Sequence, residues 1–297
     1  MTPLIWPGIY NLAAALLAPL LIEGFLLKFV LARAQSRRGA SLYQPFFDQL
    51  KLLSRENHLS GISSAWNLVP AVSMAAVGLS ALAVPMGFGL PLKDGADLAF
   101  LFSLFLMVPV ARSLERILSS PGRPDNCIPG FFTAFLLEET TFFLALFAVA
   151  VRAHSLQIFR IVPWVGTNGF SLSVGVASLA AFLALQIQLA RFFRGDPERE
   201  EHLACLSGPR LAVFRWLFPA MKFVQVSLFV QVFFPWPLLS SSAGNMALHL
   251  LKVLALFVPA AFLASFRPSS GRETEQTIFK VLILCAAAAL ALALKGG

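Results

Sequence analysis

The chain has 297 residues, 58% of them hydrophobic and only 13% charged, with a formal net charge of +8 and a mean hydropathy of +0.76. A soluble domain of this length carries roughly 25% charged residues to hydrate its surface, so a soluble enzyme or a nucleic-acid-binding domain is excluded. Lipid must cover most of this surface, and the expectation is an all-α integral membrane protein forming a single polytopic domain over residues 1–297.

Apolar runs bounded by charges and Pro/Gly clusters predict about eight transmembrane helices, at about 20 residues per crossing. They cover approximately 8–31, 67–88, 97–118, 130–152, 169–192, 211–236, 244–266 and 277–295. The first run lacks a basic leader and is long enough to span, so it reads as a crossing rather than a cleaved signal. The connections are short except for 32–66 and 193–210.

Lysine and arginine set the expected orientation, because cytoplasmic loops are enriched in them. The loops and flanks after the first, third, fifth and seventh spans hold fifteen: Arg33, Arg37, Arg38, Lys51, Arg55, Arg112, Arg116, Arg123, Arg191, Arg194, Arg199, Arg210, Arg215, Arg267 and Arg272. The opposite side holds four: Lys93, Arg152, Arg160 and Lys295. Both termini are therefore expected outside. This asymmetry accounts for the positive charge without invoking nucleic acid.

The first inner loop contains Pro45-Phe46-Phe47-Asp48-Gln49-Leu50-Lys51-Leu52-Leu53-Ser54-Arg55-Glu56. Phe46, Leu50 and Leu53 share one helical face and Asp48, Lys51 and Arg55 the other, while Pro45 suits a first helical position. A short amphipathic helix lying at the cytoplasmic interface is predicted.

Ionisable residues inside the spans demand a reason, since each costs roughly 2.5–3.5 kcal/mol at mid-membrane on insertion scales. Glu138 and Glu139 lie on the order of 13 Å into the fourth span at about 1.5 Å per residue. Adjacent helical positions point about 100° apart at 3.6 residues per turn, so the two glutamates face different neighbours. Close carboxylates in a low dielectric tend to hold a proton, which makes them candidates for proton handling; the alternative is an interhelical hydrogen bond or a pair with a nearby lysine. Lys222 in the sixth span and Lys252 in the seventh are candidates for a polar axis with them. Gln186 and Gln188 add neutral polar groups to the fifth span, and Gln225 and Gln231 to the sixth. Glu23 and Lys28 lie in the inner half of the first span, where Lys28 can snorkel. Asp196, Glu198, Glu200 and Glu201 form an acidic segment after the fifth span, either a charge-balanced loop or an acidic mouth that collects protons or docks a basic partner.

Cys127, Cys205 and Cys285, and His58, His154, His202 and His249, are scattered without the ligand spacing of zinc or iron–sulfur sites. No metal or redox cofactor is expected on this chain, and no catalytic residue. Walker A, dinucleotide, HExxH and GxSxG motifs are missing, which argues against an ATP-driven pump or a hydrolase.

The stretch Gly24-x3-Lys28, Ala32-Arg33-x-Gln35-x-Arg37-Arg38-Gly39 and Tyr43-Gln44-Pro45-x2-Asp48-x2-Lys51-Leu52 resembles the complex I subunit 1 family. That family also supplies the membrane subunit of group 4 energy-converting [NiFe] hydrogenases and formate hydrogenlyases, and the Arg-Arg-Gly and Tyr-Gln-Pro wording is closer to that branch. The resemblance implies a membrane anchor and coupling subunit in a bacterial or archaeal cytoplasmic membrane. It would join antiporter-like membrane subunits to hydrogenase-like large and small subunits that carry NiFe and iron–sulfur centres. By the same resemblance, the first-loop segment with Arg37, Arg38, Gln44, Asp48 and Lys51 docks the peripheral arm. Glu139 belongs to a proton path, and Glu198 and Glu200, beside Glu201, lie near the coupling region.

This chain departs from the family pattern in three places. Phe193-Arg194-Gly195-Asp196 replaces a Pro-Phe-Asp stretch, Gln188 replaces a glutamate, and Pro129-Gly130 stand where Gly-Ala-x-Arg is expected. These point toward the hydrogenase type rather than a quinone-reducing complex I subunit. A stand-alone secondary transporter using the same buried charges is the rival from another class.

Overall fold

The computed structural model describes residues 5–36, 38–55, 68–86, 96–119, 127–169, 171–194, 208–235, 242–266 and 272–295. Within them the regular elements are all helices: α1 (Ile5–Phe25), continued by a π-helical segment (Leu26–Leu31) and Ala32–Ala34; α2 (Gln44–Leu53); α3 (Leu68–Ala83); α4 (Leu98–Ser119); α5 (Cys127–Arg152); α6 (Ile158–Asn168); α7 (Leu172–Arg194); α8 (Gly208–Phe233); α9 (Ser242–Phe266); and α10 (Arg272–Lys295).

Six helices among the described residues are long and apolar enough to cross a membrane: Trp6–Ala34, Leu98–Glu115, Leu172–Phe193, Gly208–Phe233, Ala243–Ser265 and Thr277–Lys295. The protein is thus an all-α multi-pass membrane protein. The other two of the expected eight spans correspond to α3 and α5. With 16 residues, α3 is roughly 24 Å long at 1.5 Å per residue, against a hydrocarbon core of about 30 Å. With 26 residues, α5 has the length, and it carries Glu138 and Glu139.

The centre of the bundle is α8. Its apolar residues run all round the helix, the pattern of a helix enclosed by protein, and 83% of its span is buried, against 28% for α9 and for α10. It touches α1, α2, α3, α4, α6, α7 and α9, while α5 packs with α7 and α10 on the other flank. Asn11 of α1 donates from its side-chain nitrogen to the carbonyls of Ala81 (3.0 Å) and Val84 (2.8 Å), satisfying terminal carbonyls that a helix leaves open. This stops α3 against α1.

Two glycines let the first loop lie directly on the first span. A Cβ on Gly24 would sit 1.9 Å from the Leu42 carbonyl oxygen, and one on Gly39 2.6 Å from that of Lys28. Lys28 belongs to the π-helical segment, a local widening of the helix that often marks functional sites.

The expected amphipathic helix is α2. Its polar face carries Gln44, whose amide donates to Asp48 at 2.9 Å, and the exposed Lys51. Its buried edge is Pro45, Gln49 and Leu52, a step round from Phe46, Leu50 and Leu53. That apolar trio shares a face as the periodicity requires, but it borders the outside of the bundle. Residues 153–168, expected as a plain connection, contain α6, which buries Ile158, Ile161 and Val165 under α8.

Candidate functional site

The polar groups of the bundle lie along α8. Lys222 is wholly enclosed, and its three ammonium hydrogens have three acceptors: Glu139 Oε1 at 2.9 Å, Gln188 Oε1 at 2.6 Å and Gln225 Oε1 at 2.9 Å. The Gln225 amide nitrogen donates to Glu139 Oε2 at 3.0 Å, so both carboxylate oxygens are held. The rings of Phe135 and Phe218 flank the ammonium at 5.5 Å each, adding cation–π attraction. Three helices build this cluster: α5 supplies Glu139, α7 supplies Gln188, and α8 supplies Lys222 and Gln225 one turn apart.

Glu138 turns the other way and pairs with Arg191 of α7. Gln188 and Arg191 are three residues apart on α7 and therefore neighbours on one face. One strip of α7 thus serves both glutamates, each through a different base. A third pair, Glu115 of α4 with Arg210 at the start of α8, lies at 3.2 Å with both side chains nearly enclosed. Glu115 is not among the candidates named from the sequence, although it too is a carboxylate following an apolar run, as Glu138 and Glu139 are.

Charges removed from water are strongly disfavoured unless they are paired and hydrogen-bonded. The Glu139 cluster meets that demand with a matched set: one negative charge, one positive charge and two amides. The Gln188 amide nitrogen has no partner among the described residues.

Lys252 belongs elsewhere. Its ammonium donates to the Phe234 carbonyl at 3.0 Å, just beyond the end of α8, where a cation is favoured by the helix dipole. Beside it, His249 is buried between Ser227 (3.1 Å) and Gln231 (3.0 Å) on α8. Gln186 donates to the Leu256 carbonyl at 3.0 Å, tying α7 to α9. Of the docking residues, Arg38, Gln44 and Lys51 are exposed and Asp48 is half-buried, beside the first span. Arg37, Glu198, Glu200 and Glu201 lie outside the described residues.

A family model described as NADH dehydrogenase matches residues 8–120, which include the first span, α2 and Glu115. The chain is 27% identical over 282 residues to formate hydrogenlyase subunit 4 of Escherichia coli (strain K12), covering 90% of each chain. It is 27% identical over 270 residues to hydrogenase-4 component C of the same organism, covering 85% of each. Its fold matches a chain in a solved structure of the membrane-bound sulfane sulfur reductase (MBS), an archaeal respiratory membrane complex, with a TM-score of 0.75 at 18% identity, covering 98% of this chain and 99% of the other. The motif resemblance in the first loop, these relatives and the shared fold agree: residues 8–120 match the NADH dehydrogenase family model, and along most of its length the chain is similar to membrane subunits of the formate hydrogenlyase and hydrogenase-4 kind.

Proposed function

We propose that this chain is the membrane anchor and coupling subunit of an energy-converting hydrogenase or formate-hydrogenlyase-like complex. The observation that carries the reading is the enclosed Glu139–Lys222–Gln188–Gln225 cluster in a chain that matches a formate hydrogenlyase subunit along 90% of its length. Redox centres, NiFe and iron–sulfur, belong to partner subunits, and this chain contributes the path for a proton or Na⁺. The side with the basic loops faces the cytoplasm of a bacterial or archaeal cell, with both termini outside. There α2 and the Arg37–Arg38 loop receive the hydrogenase-like subunits, while antiporter-like subunits pack within the membrane.

The hydrogen bonds define what a proton would do on arrival. Glu139 Oε2 accepts from the Gln225 amide nitrogen. A proton bound at Oε2 turns that oxygen into a donor, so the Gln225 amide must rotate to offer its oxygen. That oxygen is the one now held by Lys222, so one ammonium hydrogen loses its acceptor as the carboxyl is neutralised. Proton occupancy, amide orientation and the state of Lys222 are thereby linked. Redox events in a docked arm need only bias one of them. Glu138 of α5 and its partner Arg191, in the last turn of α7, lie beside this centre as a second station.

The test is Glu139→Gln in the assembled complex, with ion translocation per electron and hydrogenase turnover measured together. The expected result is turnover retained with translocation reduced at least tenfold. Full translocation per electron at normal turnover would overturn the coupling role. Copurification of nickel and iron–sulfur subunits with the chain tests the anchor role separately, and a lone functional carrier would overturn it.

A further inference from the structure

A groove of about 290 Å³ lies outside the polar axis, between the amphipathic helix and the bundle. Its walls come from four elements: Leu16 and Leu20 of α1, Leu50 and Leu53 of α2, Met74 of α3, and Trp216 of α8. The wall is almost wholly apolar. Trp216 donates its indole N–H to the Leu16 carbonyl at 3.0 Å, which fixes the ring across the α1–α8 contact. The groove is open, and the side chains that α2 turns toward it are far from buried: Leu50 is 47% and Leu53 51% exposed.

We propose that this groove binds one acyl chain of a phospholipid from the leaflet on the basic-loop side. Three observations on the molecule select that occupant. Leu16 and Leu20 belong to a membrane-spanning helix, so the groove starts at lipid depth and the surrounding medium is hydrocarbon. The residues that line it offer shape and dispersion contacts rather than hydrogen bonds, which suits a flexible alkyl chain. Exposed cations stand beside the lining in the chain: Lys51 next to Leu50, Arg55 two residues past Leu53, and Arg215 next to Trp216. They complement a phosphate headgroup, as basic residues at a membrane surface do. A tail seated here fills the space beneath α2 and ties that surface helix to the first, second and sixth apolar segments of the sequence. The lipid then acts as part of the floor of the proposed docking face, and this holds whether or not the chain couples ion movement.

The experiment uses the full-length chain purified from membranes with whatever subunits it retains. Native mass spectrometry after stepwise removal of bulk lipid is expected to show one phospholipid retained per chain. A phospholipid carrying a photoreactive acyl chain is then exchanged in, and crosslinks are expected in the peptides containing Leu50, Leu53 and Trp216. Met74→Trp, which fills the groove, is expected to lose both the retained mass and those crosslinks. No retained phospholipid, an isoprenoid quinone in its place, or crosslinks confined to other spans would each overturn the proposal, as would retention by a folded Met74→Trp protein. If that variant fails to fold, the wild-type mass and crosslink map decide alone.

Discussion

Lys222 of α8 and Glu139 of α5 meet at 2.9 Å with both side chains fully shut off from the surface. Each is the counter-charge the other needs, because an enclosed ion that loses its partner keeps its desolvation cost and forfeits the attraction. That reciprocity makes the pair testable by stability as well as by function. Glu139→Gln and Lys222→Met alone should each destabilise the protein by about 3–5 kcal/mol. The double variant should recover much of the loss. Thermal unfolding followed by size-exclusion chromatography in detergent checks this; additive losses would mean the two residues do not act as a unit.

Gln188 is the neutral member that a glutamate occupies in the family pattern. Its oxygen lies 2.6 Å from the Lys222 ammonium. Gln188→Glu would place two carboxylates on one ammonium, leaving the cluster one negative charge in excess in a low dielectric. The cluster should then take up one proton. Infrared difference spectroscopy should show a new protonated carboxyl band that is missing in the Gln188→Glu/Glu139→Gln double variant. A spectrum without that band would show that the site tolerates the extra charge.

The docking of the first loop rests on glycine. A Cβ at Gly24 would meet the Leu42 carbonyl oxygen at 1.9 Å, and backbone cannot yield as a side chain does. Gly24→Ala should push the loop off α1, costing about 1–3 kcal/mol as an overpacked contact. Hydrogen exchange should accelerate across 42–53, and copurification of any peripheral subunits should fall. Gly175→Ala, whose added methyl has nothing within 4 Å, is the control and should change neither.

The two mid-span lysines should differ in their response to removal. Lys252 makes its hydrogen bond to the Phe234 carbonyl past the end of α8, a helix-capping contact. Lys252→Met should therefore cost about 0.5–1.5 kcal/mol, well below the Lys222→Met effect, and leave ion translocation per electron unchanged. Equal losses in the two variants would place Lys252 in the same circuit as Lys222.

Much of this architecture is legible in the sequence. Composition identified the solvent, since so few charges cannot hydrate a soluble surface. Helical spacing sent Glu138 and Glu139 to different neighbours, which they have in Arg191 and Lys222. Period and proline placement located α2. Other features were hidden because nothing local marks them. The short α6 was masked by its brevity within a connection. The apolar trio of α2 shares a face as its spacing requires, but which edge of α2 meets the bundle was not legible: Pro45, Gln49 and Leu52 do.

The sequence alone determined the membrane class, the polar residues that needed partners and the first-loop motif, since these follow from composition and from periodicity along one helix. Only the tertiary structure decided which base serves which carboxylate. It chose Lys222 over Lys252 for Glu139, brought Gln225 and Gln188 to the same ammonium, and paired Glu115 with Arg210. Partner choice depends on the order of helices around α8 and on their axial register. Both are set by packing between segments far apart in the chain, and no single apolar run carries that information.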